Sequence, residues 1–292
     1  MRVVAEVKSF DLLANKKIYG WIVNIDKISC YYDTLHTLEE VEKIVEVAHQ
    51  NNQKVYVNAR RIIHEQDIDI VINLVKKLET LNVDYYFYGD LAFFEIADTL
   101  GIASKLIYQV NTYMTNSLDI SVMLEENKSV VVSTEISFEE LKKVVNSLQE
   151  ELYVHVFGYY PIFHSRRELI SNYLIYRKMP VDLNHNFDVV EELRESHYPI
   201  EQNENGMVVY IDGAYVLTTE LQELNRINQD LIGVVLSKNI YLDDYTKVLD
   251  LYASNGYNEY DEVIKSLNIM TTKGLLYEQS KLLKKEGGMV CE

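Results

Sequence analysis

The chain has 292 residues, with 28 basic side chains against 45 acidic ones and a formal net charge of −17. An apolar content of 48 % supplies a sizeable core, and the length suits one large domain or one domain with an appendage. The acid excess argues against phosphate-led gripping of nucleic acid by this chain alone, and no apolar run approaches the ~18 residues of a membrane span.

The N-terminal MRVVAEVKSF lacks the basic, apolar, small-residue order of a secretory leader, so the expected location is the cytoplasm, away from membranes. β-rich runs then alternate with helical patterns. Strands are expected at 2–7, 18–25, 54–58, 83–89, 105–110, 129–133 and 152–158, with a last one at 231–237. Apolar residues at i, i+3, i+4 predict helices over 37–52, 65–81, 90–101, 115–128 and 137–151. Thr37 with Glu40, and Ser137 with Glu140, spell capping boxes.

Strands alternating with single helices imply parallel pairing and right-handed crossovers. Eight such strands point to an α/β fold, a TIM-like β/α barrel over residues 1–240. The period breaks over 159–230, which reads as an insertion before the last strand. Its MVVYIDG and AYVLTT runs around Asp212-Gly213 predict a β-hairpin. Residues 241–292 are expected to form a helical C-terminal extension. An open doubly wound sheet is the alternative architecture.

Ligands of parallel β/α folds bind at the C-terminal strand ends. The candidates there are Asn24 and Asp26; Asn58, Arg60, Arg61 and His64; Gly89 and Asp90; Gln109, Asn111 and Asn116; Ser133 and Glu135; Ser237 and Lys238. The 152–158 strand leads into His155, Tyr159, Tyr160, His164, Arg166 and Arg167. Two arginine pairs on neighbouring loops of an acidic chain suit a carboxylate or phosphate, because guanidinium groups grip such anions in a bidentate fork. The alternative is that one arginine of each pair bridges to Glu65, Asp67 or Glu168 while the other stays solvated. His155, His164 and Glu135 are the candidate acid–base groups. Tyr31, Tyr32, Tyr159 and Tyr160 are available for stacking, with packing as the simpler role. No His-x-x-x-His spacing supports a metal site. Cys30 and Cys291 stand far apart with no Cys-x-x-Cys, so no disulfide framework, zinc site or iron–sulfur site is expected from this chain alone.

LYVHVFGYYPIFHSRRELIS resembles the signature of the collagenase-like peptidase family U32. In that signature a Phe-x-x-Gly strand end leads to a cysteine, then Ser-Gly, a second cysteine and a closing serine. Gly158, Ser165 and Ser171 match its glycine and serines. KVYVNARRIIHEQDID, VNTYMTNSLDISVMLEE, VVVSTEISFEEL, YPIEQNENG and TTKGLLYEQSKLLKK are similar to further family segments in the same order. The departures are equally informative. Pro161 and Glu168 stand at the two cysteine positions, and Arg166 replaces the glycine of Ser-Gly. Thr134 replaces an arginine, and VVLSKN stands where longer members end in Glu-Gly-Arg.

The resemblance implies that cysteine-bearing members hold an iron–sulfur cluster and act in RNA pyrimidine hydroxylation, with prephenate implicated for the tRNA-acting ones. It implies no cofactor on this chain, whose expected role is a non-cluster subunit of an RNA 5-hydroxylation system. Its expected partner is a longer, cysteine-bearing paralogue in a hetero-oligomer, with RNA contacted through the complex. The alternatives are a peptidase, as the family name suggests, or a degenerate barrel binding a small anionic substrate through Asn58, Arg60, Arg61, His64, Asn111, Tyr159, Arg166 and Arg167.

Overall fold

The computed structural model describes residues 1–30, 33–110, 112–126, 129–191, 196–254 and 259–278. In chain order the first half runs β1 (Arg2–Glu6), β2 (Gly20–Asn24), α1 (Leu38–Gln50), β3 (Lys54–Ala59), α2 (Ile68–Thr80), β4 (Tyr85–Tyr88), α3 (Leu91–Thr99), β5 (Leu106–Tyr108), α4 (Ser117–Glu125), β6 (Ser129–Val130), α5 (Phe138–Ser147) and β7 (Tyr153–Gly158). The second half runs β8 (Pro161–Ser165), α6 (Leu169–Tyr176), β9 (Phe187–Glu191), β10 (Ser196–Asn203), β11 (Gly206–Tyr210), β12 (Ala214–Val216), α7 (Thr219–Ile227), β13 (Ile232–Val235), α8 (Leu242–Ser254), α9 (Tyr260–Ser266) and β14 (Thr271–Thr272).

The eight expected parallel strands are all present. They lie in a ten-stranded sheet of order β14-β12-β7-β13-β1-β2-β3-β4-β5-β6. That sheet is curled. A parallel bridge from Val131 to Tyr153, with Val132 N–H donating to the Tyr153 carbonyl at 2.8 Å, sets the chain just after β6 against β7. Such strands are buried on both faces, which is why β2 and β7 read as unbroken buried runs. The helices cover the outside through one apolar stripe each. In α1 it is Val41, Ile44, Val45 and Ala48. Both expected capping boxes form, at Thr37/Glu40 and Ser137/Glu140.

Inside the curl, Tyr56 and Phe87 of the paired strands β3 and β4 meet Tyr153 of the non-adjacent β7. The Phe87 and Tyr153 rings are 5.7 Å apart edge to face, and the Tyr56 and Tyr153 hydroxyls 3.4 Å apart. This aromatic layer packs the interior towards the N-terminal strand ends, and the buried Asn24, Asn58 and Gln109 sit at the C-terminal ends. α8 buries Tyr245, Val248, Leu249 and Tyr252 in the same core. Among the described residues no helix is long and apolar enough to cross a membrane.

A second sheet, of order β8-β11-β10-β9, is antiparallel. The hairpin expected around Asp212-Gly213 does not form. β11 pairs with β10 and β8, whereas β12 pairs with β7 and β14, so residues 211–213 carry the chain from one sheet to the other. Asp-Gly marks a two-residue turn only when its flanking runs pair with each other. Here Ile211 N–H goes to the Tyr160 carbonyl and Ala214 N–H to the Met270 carbonyl. The tight turn lies between β10 and β11, where Asn203 faces Gly206. Gly206 has φ +116°, and a Cβ there would lie 2.1 Å from the Ser165 carbonyl oxygen.

Candidate functional site

The polar floor begins at the ends of β1, β2 and β3. Asn58 Nδ2 donates to Asn24 Oδ1 at 2.7 Å and to the Cys30 carbonyl at 2.8 Å. Its Oδ1 accepts from Arg60 Nε at 3.0 Å. Asn58 is thus fully committed, and its work is to hold a buried guanidinium in place. Beside them Glu6 is buried at the end of β1. Its Oε2 accepts from Ser237 N–H at 2.7 Å and Ser237 Oγ at 2.8 Å, while Oε1 has no partner among the described residues. Burial pushes this carboxyl above its ordinary value; the Ser237 bonds and the Arg60 charge oppose that only in part. Glu6 escaped the sequence reasoning because candidates were sought past the strand ends. The signal available was a lone acid in the apolar run RVVAEV.

Across the interior, Gln109 Nε2 donates to His155 Nε2 at 2.9 Å. The imidazole proton then sits on Nδ1, which has no partner. Burial, with the Arg60 charge adding to it, pulls His155 down to about 3. His164 is pulled down to about 4 by burial and by Arg166, Arg60 and Arg61. Both rings are neutral at neutral pH, which makes them hydrogen-bonding groups and weak proton acceptors. Arg60, Gln109 and His164, with Asp90, Thr112 and Pro161, line a cleft of about 310 Å³ at the strand ends.

The second arginine pair divides. Arg166 Nη1 donates to Asp67 Oδ2 and to the Ile62 carbonyl, both at 2.8 Å. Burial pushes the Asp67 carboxyl up, but the His64 N–H bond and the Arg166 guanidinium outweigh it and hold the carboxyl below its ordinary value. Arg61 Nη1 donates to the Lys27 carbonyl at 2.9 Å. Burial, then the nearby Arg166, lowers its proton affinity. Arg167 is exposed, with no carboxylate in ion-pair reach among the described residues. Arg60, Arg61, Arg166 and His164 are therefore brought together, and Arg167 is not.

The other candidates scatter around this centre. His64 turns to solvent, and its backbone N–H donates to Asp67 Oδ2 at 3.1 Å. Glu135 is exposed, its carboxyl raised by the burial it does have. Tyr159 is half-buried and raised by burial and by Asp212. Asn111, Tyr31, Tyr32 and Cys291 lie outside the described residues.

An iron–sulfur cluster needs convergent thiolates. Pro161 has no ligand atom and is packed into the cleft wall, and Glu168 is exposed. Cys30 is the cysteine among the described residues, and it is buried after β2. These residues do not fit such a cluster. No three His, Cys, Asp or Glu side chains group for a metal ion among the described residues either.

The chain is 26 % identical over 235 residues to the tRNA hydroxylation protein P2 of Bacillus subtilis, covering 76 % of each chain. It is 26 % identical over 188 residues to the uncharacterized protease MJ0090 of Methanocaldococcus jannaschii, covering 62 % of this chain and 44 % of that one. The structure of the U32 peptidase Mk0906 superposes with a TM-score of 0.52 at 15 % identity, over 82 % of this chain and 94 % of that one, a likeness of fold. The family described as peptidase family U32 matches residues 30–233, which includes the Asn58–Arg60 floor, the Gly158 strand end and the cleft wall at Pro161. On that match, the chain belongs to peptidase family U32.

Proposed function

We propose that this chain is a non-cluster subunit of an RNA pyrimidine 5-hydroxylation system, working beside a longer, cysteine-bearing relative that supplies the redox chemistry. The observation that carries the reading is the likeness to tRNA hydroxylation protein P2 over three quarters of both chains. It is joined to Pro161 and Glu168 standing where thiolates would be. The parallel strands are read as a closed β/α barrel, with the Val131–Tyr153 bridge as its seam. On this reading the acidic chain does not hold RNA alone, and it acts in the cytoplasm. Deleting its gene and measuring 5-hydroxylated pyrimidines in total tRNA and rRNA by mass spectrometry tests it. Loss of the modification supports the reading, and unchanged levels overturn it.

A second reading rests on the cleft. Its Arg60, His164 and Gln109 suit a small anionic ligand, with Arg60 as the charge and the neutral imidazole and the amide as hydrogen-bond partners. Thermal shift with dicarboxylates separates it from the first. A ligand at a hundred times its Kd adds ~2.7 kcal/mol of stability, and the shift disappears in R60K. A peptidase role requires a nucleophile–base–orienter set or a metal, and the cleft assembles neither from the described residues.

A further inference from the structure

The inserted unit is built with little interior. Its four-stranded sheet and α6 enclose a core of three buried side chains, Ile170, Leu174 and Met207. Outside, Tyr173, Ile175, Tyr176, Met179 and Val189 are all exposed, Tyr176 by 81 % and Ile175 by 62 %. Helix α6 is apolar on both sides: Leu174 turns inward while Tyr173, Ile175 and Tyr176 turn out. Strand β9 is the outer strand of its sheet, with no strand pairing its far edge among the described residues. Val189 shares a sheet face with Phe187, and Phe187 packs on the same small core as α6. Phe187 thus ties the edge strand to the core that α6 covers. Single apolar side chains on a surface are ordinary, whereas a contiguous patch beside an open strand edge marks a place where another chain sits.

We propose that the outer side of α6 with the free edge of β9 docks a second, unlike protein chain that meets it with an apolar centre and a basic rim. The proposal rests on the reading of this chain as one subunit of a pair. Charge selects the occupant. Asp182 and Asp188 balance Arg177 and Lys178 around the patch, so the selecting field is that of a chain of net −17. A second copy brings the same acids and the same net charge to the contact, so like charges face each other. RNA phosphates and anionic lipid headgroups meet the same repulsion. A cationic protein satisfies both the apolar centre and the field around it.

The full-length chain and its cysteine-bearing relative from the same organism are mixed and followed by sedimentation and by hydrogen exchange. The variants are Ile175→Asp and Val189→Lys, with Leu118→Asp on α4 as an exposed control, each checked for an unchanged thermal melt. The expected result is a complex at micromolar concentration, slowed exchange over 173–191, at least tenfold weaker association for each face variant, and none for the control. No complex overturns the proposal. So does undiminished binding by both face variants, self-association of the chain through these residues, or vesicle binding that they abolish. The functional reading is scored separately by tRNA hydroxylation in the deletion strain. Lost hydroxylation with variant-insensitive binding removes the docking face alone; unchanged hydroxylation with variant-sensitive binding removes the hydroxylation role alone.

Discussion

His155 makes this protein acid-labile in a calculable way. In the native chain its ring is 4 % exposed, held against Gln109 Nε2 and 5.9 Å from the Tyr160 ring, with Arg60 the charge that bears on it. Its native value of about 3 lies below the ordinary 6.5 that it regains on unfolding. The unfolded chain therefore binds the extra proton, and stability falls as pH drops below 6.5 towards 3. Integrating that difference from pH 7 to pH 5 gives a loss of about 2 kcal/mol from this one group. The perturbation is His155→Gln, which keeps a hydrogen-bonding partner for Gln109 and removes the titration. The assay is urea unfolding of both proteins at pH 7 and pH 5. The variant is expected to lose about 2 kcal/mol less between the two pH values, whatever its absolute stability. Equal pH dependence in the two proteins would refute the claim that this imidazole is buried and neutral.

Glu6 runs the other way: its raised native value means stability is lost as pH rises from 4.5 through that value, so Glu6→Gln gains on the wild type at pH 8 relative to pH 5 in the same unfolding assay. Arg166 and Asp67, whose side chains are 12 % and 14 % exposed, form a double-mutant cycle with alanine that shows a coupling of about 1–2 kcal/mol, while Arg167→Ala stays within about 0.5 kcal/mol. Gly158 has φ +112° and its added Cβ would lie 2.6 Å from the Leu236 carbonyl oxygen, so Gly158→Ala lowers stability by about 2 kcal/mol or more, read as a drop in Tm.

The parallel strands were legible because strands buried on both faces must be written in Val, Ile and aromatic runs, and each run is punctuated by an amphipathic helix. Thr37 and Ser137 were legible because a capping box is a local device. The inserted sheet was harder. Asp212-Gly213 carries the composition of a hairpin turn, yet whether it turns depends on distant partners, the Tyr160 and Met270 carbonyls, that sequence spacing does not reveal. In the site, adjacency supplied only the alternative in which one arginine of a pair bridges to an acid and the other stays solvated. That Arg166 is the one taken by Asp67 follows from β8 passing near the turn after β3, a tertiary fact. Glu6 was hidden by a different cause: an acid inside an apolar run looks like a solvated outlier until a strand from the other end of the chain supplies Ser237 to bind it.

The pairing of β1 with β13 sets the order in which the protein can be made. Arg2 faces Ile232, so β1 waits for a strand translated 230 residues later. At ordinary synthesis rates that delay is roughly 10 to 50 seconds. Through that time the nascent sheet keeps an open, Val-rich edge at β1, and the Glu6 carboxyl has no Ser237 to receive. β12 can pair with β7 once residue 216 is made, whereas β14 adds to β12 only after residue 271. Closure of the sheet at β1 thus follows translation of β13, and a chaperone that shields the β1 edge would act in that interval.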